Sequence, residues 1–442
     1  MSFSGGGYAV ALIGKAGRNY IRGDRVARDA AQAVLRSDLN VDAARSRKMP
    51  ASEQPTQAAP ASRLAFFDNL RWSMIVLVIS MHAADTYSPF GNWYYGDKTG
   101  TDRLTALLFG TYQSFLQAFF MALLFAVSGY FAAASIRRKG AVTFMIDRSL
   151  RLGLPVLLYM LVIGPVTQYY IAGSWRPTAP TSFGREWLHH ILDGEVFSES
   201  GPLWFCVALL LFSIAYAGIW SLGDKIVARP PGEPLSTSPP STSVILAFIG
   251  VMTVATFAVR LFVPNGDAVL NMQLGDFPSY LLMFAVGIHA QYRQWLFRLP
   301  SATGRNWAIA GIVLGLIGWV LIIWLGGALQ GQFDGYRGGW HWPGFSKDLW
   351  ESFVCVAISL GLIVLYRDHF NRQGQVSRFL SDNAFAVYVF HPPILILVTR
   401  LLHFLPAPSA FKFIVATLGG AALTLLFSAL VARRTPLLRT VL

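Results

Sequence analysis

Ten long apolar runs, separated by loops of opposite character, leave this chain few folds to choose from. They cover about 70–88, 111–134, 152–171, 202–222, 243–263, 277–292, 307–327, 349–366, 382–402 and 412–431. A segment of that length crosses the ~30 Å hydrocarbon core only as an α-helix, because every backbone N–H and C=O must find its partner inside the segment. The expected fold is therefore all-α: a polytopic membrane bundle of about ten transmembrane helices. Composition agrees, with 54% hydrophobic and only 13% charged residues, where a soluble domain carries about a quarter charged. Cys206 and Cys355 both lie inside apolar runs, which excludes a disulfide framework or a CxxC motif. A formal charge of +13 would suit nucleic acid if the cations formed a stripe. They sit instead in short loops, so no nucleic-acid partner is expected.

The loop charges set the orientation. Alternate loops carry Arg137, Arg138, Lys139, Arg148 and Arg151; Lys225 and Arg229; Arg293, Arg298 and Arg305; Arg367, Arg372 and Arg378; and Arg433, Arg434 and Arg439. The opposite loops are sparser, which places both termini in the cytoplasm. Residues 1–62, rich in Ala, Arg, Pro and Ser, are expected to be a disordered cytoplasmic tail, with Met49 as an alternative start. Residues 63–442 then form the transmembrane domain. The Pro/Ser-rich stretch from Gly223 to Thr242 reads as a flexible cytoplasmic link.

Within this frame the polar residues at membrane depth carry the chemistry. The run Asp68–Tyr87 holds Arg71, His82 and Asp85 around an apolar centre. Arg71 and His82 are eleven residues apart, three helical turns plus about 20°, so both leave one face, roughly 16 Å apart along the axis. Asp85, three residues past His82, is within side-chain reach and could fix the imidazole tautomer, as carboxylates do in hydrolase triads. The bland alternative makes Arg71 a topology anchor, His82 a helix-packing hydrogen-bonder and Asp85 a water-bonded interfacial residue.

Further along, Ser128–Gly129 places small residues where helices approach; Ser128 lacks the G-x-S-x-G context of a nucleophile, so packing is the favoured reading. Arg148 and Arg151 share a face at the cytoplasmic mouth of the third span, with Pro155 one turn on, and two guanidinium forks suit phosphate. The fourth span opens Gly201–Phe205, including Trp204. The ninth carries Tyr388 and His391 ahead of Pro392–Pro393, whose freed carbonyls could line a cavity. Arg260 and His289 read as interfacial. Trp93, Tyr94, Tyr95, Trp340 and Trp342 read first as an interfacial belt and second as sugar-stacking rings.

These elements, in this order, resemble the acyltransferase-3 family of integral membrane acyltransferases. The matching residues are Arg71 and His82 as R-x10-H, Ser128–Tyr130 as SGY, Arg148 and Arg151 as R-x-x-R followed by Pro155, Pro202–Phe205 as PLWF, and the run Asn383–Pro393. The stretch TYSPFGNWYY after the histidine is most similar to a branch of the family concerned with glucan biosynthesis and implicated in succinylating periplasmic glucans. The resemblance implies a multi-pass protein of the bacterial inner membrane. It further implies transfer of an acyl group, acetyl or succinyl in class, from cytoplasmic acyl-CoA to a hydroxyl of an extracytoplasmic carbohydrate.

Arg71, Arg148 and Arg151 would then hold the polyanionic donor. His82, with Asp85, would serve as general base or as acyl carrier, since an imidazole ordinarily titrates near pH 6.5. Ser128, Trp204, Tyr388 and His391 are candidates for the pore or the acceptor site. No metal or prosthetic group is expected. The rival reading is a transporter or flippase that uses the same polar groups as a relay.

Overall fold

The computed structural model describes residues 64–173, 182–197, 199–226, 238–435 and 438. The expected tail 1–62, the alternative start at Met49, Arg176, Arg229, Arg439 and most of the Pro/Ser-rich link lie outside the described residues. Among the described residues, ten long helices stand where the ten apolar runs predict them. They are α1 (Ala65–Tyr87), α2 (Arg103–Lys139), α3 (Ala141–Ala172), α5 (Trp204–Ile226), α6 (Thr242–Arg260), α7 (Phe277–Arg293), α8 (Ser301–Leu325), α9 (Trp342–His369), α10 (Gln375–His403) and α11 (Ser409–Leu430). A short helix α4 (Phe183–Leu192) lies between α3 and α5.

Eight of the ten are long and apolar enough on their own to cross a membrane. The exceptions have simple causes. In α1 the polar residues Asp68, Arg71, His82 and Asp85 dilute an otherwise apolar run. In α7 there are only 17 residues, about 25 Å of helix.

Helix α2 is the spine. Its 37 residues extend about 55 Å, well beyond the ~30 Å needed to cross a hydrocarbon core. Asp102 caps its start by accepting from the Thr105 N–H at 2.6 Å. Gly140 ends it at φ 76°, a left-handed position that favours glycine. Against α2 pack α7, α9 and α1. The α2–α7 contact is close because Gly129 and Gly287 face it. A Cβ at Gly129 would stand 2.1 Å from the Phe284 carbonyl oxygen, and one at Gly287 would stand 1.9 Å from that of Ala126. The other principal pairs are α8 with α9 and α10 with α11.

Helix α3 is not a uniform α-helix. Its turns widen to π geometry over Ser149–Gly153, Tyr159–Ile163 and Thr167–Ala172. Two of these stretches end just before Pro155 and Pro165. Each proline lacks the N–H that would bond the carbonyl four residues back, which loosens the preceding turn.

Among the described residues the sheet content is one hairpin, β1 (Ala268–Val269) with β2 (Met272–Gln273), turning at Leu270 and Asn271, both at positive φ. The Asn271 side-chain oxygen accepts from the Gly201 N–H at 2.8 Å, and the Leu270 carbonyl accepts from Ser200 Oγ at 2.5 Å. The hairpin thereby fixes the chain that leads into α5. The loop between α1 and α2 is tied down as well. Asp97 is buried in an ion pair with Lys412 of α11 at 3.1 Å. Burial pushes the Asp97 carboxyl up, but hydrogen bonds from Thr99 and Lys412 and the Lys412 charge outweigh it and hold it below the usual carboxylate range.

Candidate functional site

The polar residues expected from sequence gather at two levels of the bundle. At the lower level, near the start of α1, Arg71 lies over the Phe131 ring at 4.3 Å and pairs with Asp68 at 3.7 Å. Arg148 lies over the Phe144 ring at 5.3 Å. The charges of Arg71 and Arg151 both bear on Arg148, so three guanidinium groups from α1 and α3 share one neighbourhood. Arg148 and Arg151 stand at the first widened turn of α3, and Arg151 is exposed. Three like charges held together repel, and a polyanion relieves that repulsion.

At the upper level, near the end of α1, His82 Nδ1 stands 3.2 Å from Asp85 Oδ2. The other carboxylate oxygen accepts from Gln113 Nε2 of α2 at 2.7 Å. The carboxylate is therefore held at both oxygens. It accepts from Nδ1–H, so the free lone pair of His82 is at Nε2. The side chain keeps 18% exposure.

Trp93, from the loop between α1 and α2, stacks on the His82 ring with centroids 3.8 Å apart and planes 14° apart. His391 of α10 lies parallel to His82 at 5.4 Å and 11°. Its Nδ1 is 2.7 Å from the Tyr388 carbonyl. The Tyr388 hydroxyl donates to the Pro202 carbonyl. The two motifs PLWF and NAFAVYVFHPP thus meet beside the histidine of the first span, although 186 residues separate Pro202 from Tyr388.

The remaining expected residues lie in packing. Ser128 precedes Gly129 on α2 and is half-buried. The Trp204 ring is 5.6 Å from Tyr280 and 6.5 Å from Phe125, in an aromatic cluster joining α2, α5 and α7. A cavity of about 380 Å³ opens elsewhere, lined by Phe67 and Tyr130 together with residues of α6, α7 and α9, and none of the nine candidate residues borders it.

Three features were not read from the sequence. Trp93, read first as a belt residue and second as a sugar-stacking ring, has one face of its ring stacked on His82. Gln113 gives no signal in sequence, since nothing marks which residue of one span meets a carboxylate of another. Arg260, read as interfacial, is 3% exposed and ion-paired with Asp276, Asp348 and Glu351. Its partners lie 16, 88 and 91 residues away and become neighbours only when α6, α7 and α9 pack. The three-residue spacing of Asp348 and Glu351 on one helix face was the available hint.

The comparisons with known proteins bear on this arrangement. Residues 64–433 match the acyltransferase-3 family, described as an acyltransferase domain. The chain is similar to Glucans biosynthesis protein C of Salmonella heidelberg (strain SL476), 26% identical over 235 residues that make up 52% of this chain and 59% of the relative. It is similar at 25% identity, over the same shares, to the proteins of that name from Salmonella agona (strain SL483) and Salmonella dublin. The chain thus spans about three-fifths of the length of the curated relatives it matches. With the family match running from the first described turn of α1 through the end of α11, the chain belongs to the acyltransferase-3 family.

Proposed function

We propose that this protein moves an acyl group from acyl-CoA, presented at the level of Arg71, Arg148 and Arg151, to a hydroxyl of a glycan at the level of His82. The observation that carries the reading is the His82–Asp85 pair, with Nδ1 and Oδ2 3.2 Å apart, on the same helix as one of the three gathered arginines. A carboxylate-held imidazole with a free Nε2 is the group that acyl transfer requires, either as base toward a hydroxyl or as nucleophile toward a thioester. Three guanidinium groups in one place suit the phosphates of coenzyme A. Relatives named for glucan biosynthesis make a glucan the favoured acceptor, with acetyl or succinyl the class of group moved. A multi-pass protein of the bacterial inner membrane, both termini cytoplasmic, has the donor and acceptor on opposite faces.

Incubation of detergent-purified protein with acetyl-CoA or succinyl-CoA and a glucan oligosaccharide, followed by thiol release and mass spectrometry of the glycan, tests the proposal. His82→Ala is expected to abolish transfer while the protein inserts and expresses. Arg148→Ala is expected to weaken acyl-CoA binding by about tenfold or more, ~1.4 kcal/mol. Glycan movement across proteoliposomes with no thiol release would favour a transporter. Wild-type activity in His82→Ala would overturn the mechanism.

A further inference from the structure

His391 is fully buried beside the candidate site, at 0% exposure. Its Nδ1 faces the Tyr388 carbonyl at 2.7 Å. A carbonyl only accepts, so Nδ1 carries the proton and Nε2 holds a lone pair. That Nε2 has no hydrogen-bond partner. Buried polar atoms nearly always have a partner, so an unpartnered Nε2 marks a place where a polar group would bind. Trp93 Nε1, in the same stack of rings, is buried and unpartnered too. The Trp93 and His391 ring centroids are 6.5 Å apart, with planes 10° from parallel. One orphan acceptor and one orphan donor thus belong to the two rings that neighbour the imidazole of His82. A hydroxyl, which donates once and accepts, answers both.

The count of bases points further. Direct transfer from thioester to hydroxyl needs one base. Here two imidazoles lie parallel, centroids 5.4 Å apart, and each has its Nδ1 engaged by an acceptor, Asp85 or the Tyr388 carbonyl. A two-step route asks for two such groups close together: one to carry the acyl group and one to take the proton of the attacking hydroxyl.

Resting on the acyl-transfer reading above, we propose that His82 carries the acyl group and that His391 is the general base for its transfer to the acceptor. In the first step His82 Nε2 attacks the thioester carbonyl, the C–S bond breaks, and coenzyme A leaves as the thiolate. Asp85 balances the charge of the acylated ring. In the second step the acceptor hydroxyl oxygen attacks the acyl carbon and its proton passes to His391 Nε2. The C–N bond breaks, and its electron pair returns to His82. His391 then gives its proton to solvent while the thiolate takes one up. The sum is thioester plus alcohol giving ester plus thiol. Trp93 Nε1–H would orient the hydroxyl.

The test separates the two half-reactions in the full-length protein. Rapid mixing with acetyl-CoA or succinyl-CoA, without acceptor, is expected to release about one thiol per protein in a burst. Hydroxylamine is expected to trap the acyl group as its hydroxamate. His82→Ala should lose the burst. His391→Asn keeps a donor for the Tyr388 carbonyl but has no base at the Nε2 position; it should keep the burst and slow transfer to added glucan oligosaccharide by 100-fold or more. His391→Gln, which places a non-basic polar atom near the Nε2 position, should behave the same way. Steady transfer without a burst in the wild type would overturn this inference and leave the acyltransferase reading intact. So would normal transfer in either variant, equal loss of both half-reactions, or failure of both variants to fold, since the ring would then serve packing. Thiol release absent under every condition would instead overturn the acyltransferase reading itself.

Discussion

Asp85 shows how much a single carboxylate can decide. Its two oxygens face His82 Nδ1 and Gln113 Nε2, so its orientation is fixed from two helices rather than one. In Asp85→Asn the amide presents at best a neutral oxygen to Nδ1–H and gives no charge to stabilise a protonated or acylated ring. Transfer is expected to fall by about 10²–10⁴-fold in kcat, with the acyl-CoA dissociation constant unchanged. A variant within twofold of wild type would remove the carboxylate from the mechanism. Half of this pair was legible beforehand, because His82 and Asp85 lie three apart on one helix. Gln113, 28 residues on, was not, since periodicity within a span says nothing about which residue of another span it meets.

The loop between α1 and α2 does at the scale of an element what Asp85 does at the scale of a residue. It folds back over the end of α1 and lays Trp93 on His82. It comes that close because residue 91 has no side chain; a Cβ there would stand 2.3 Å from the Asp85 Cα. The Asp97–Lys412 pair and a Lys98 Nζ bond to the Gly91 carbonyl at 2.9 Å hold the loop in place. Gly91→Ala must push loop and helix apart. Its expected effect is faster modification of His82 by diethylpyrocarbonate, read by mass spectrometry, and a loss of transfer with acyl-CoA affinity unchanged. An unchanged modification rate would mean that Trp93 does not cover the ring in solution. The widened turns of α3 are the other element-scale surprise. Pro155 and Pro165 were visible in the sequence, but a proline alone does not say whether a helix kinks, ends or swells to π geometry.

At the scale of the whole molecule the ten spans were legible because each helix satisfies its own backbone and needs no neighbour to be recognised. What joins the spans was not. The Arg260 cluster is the clearest case, as it locks α6, α7 and α9 through a cation that no single segment explains. Asp276 of this cluster also accepts from Gln117 of α2 at 3.0 Å, so four helices meet at one buried node. Arg260→Met removes the cation and leaves Asp276, Asp348 and Glu351 facing one another with Lys347 beside Glu351 at 2.8 Å. Uncompensated buried charge of this kind costs about 3–5 kcal/mol. Arg260→Met should therefore lower the thermal aggregation midpoint of the detergent-solubilised protein markedly, and adding Asp348→Leu should recover part of the loss by deleting one of the stranded charges. The arginine trio on α1 and α3 shares no residue with this node, so acyl-CoA affinity measured well below the midpoint should remain that of the wild type. A midpoint that did not move on Arg260→Met would show that the four helices hold together by packing alone, and the buried cluster would then need some other reason to exist.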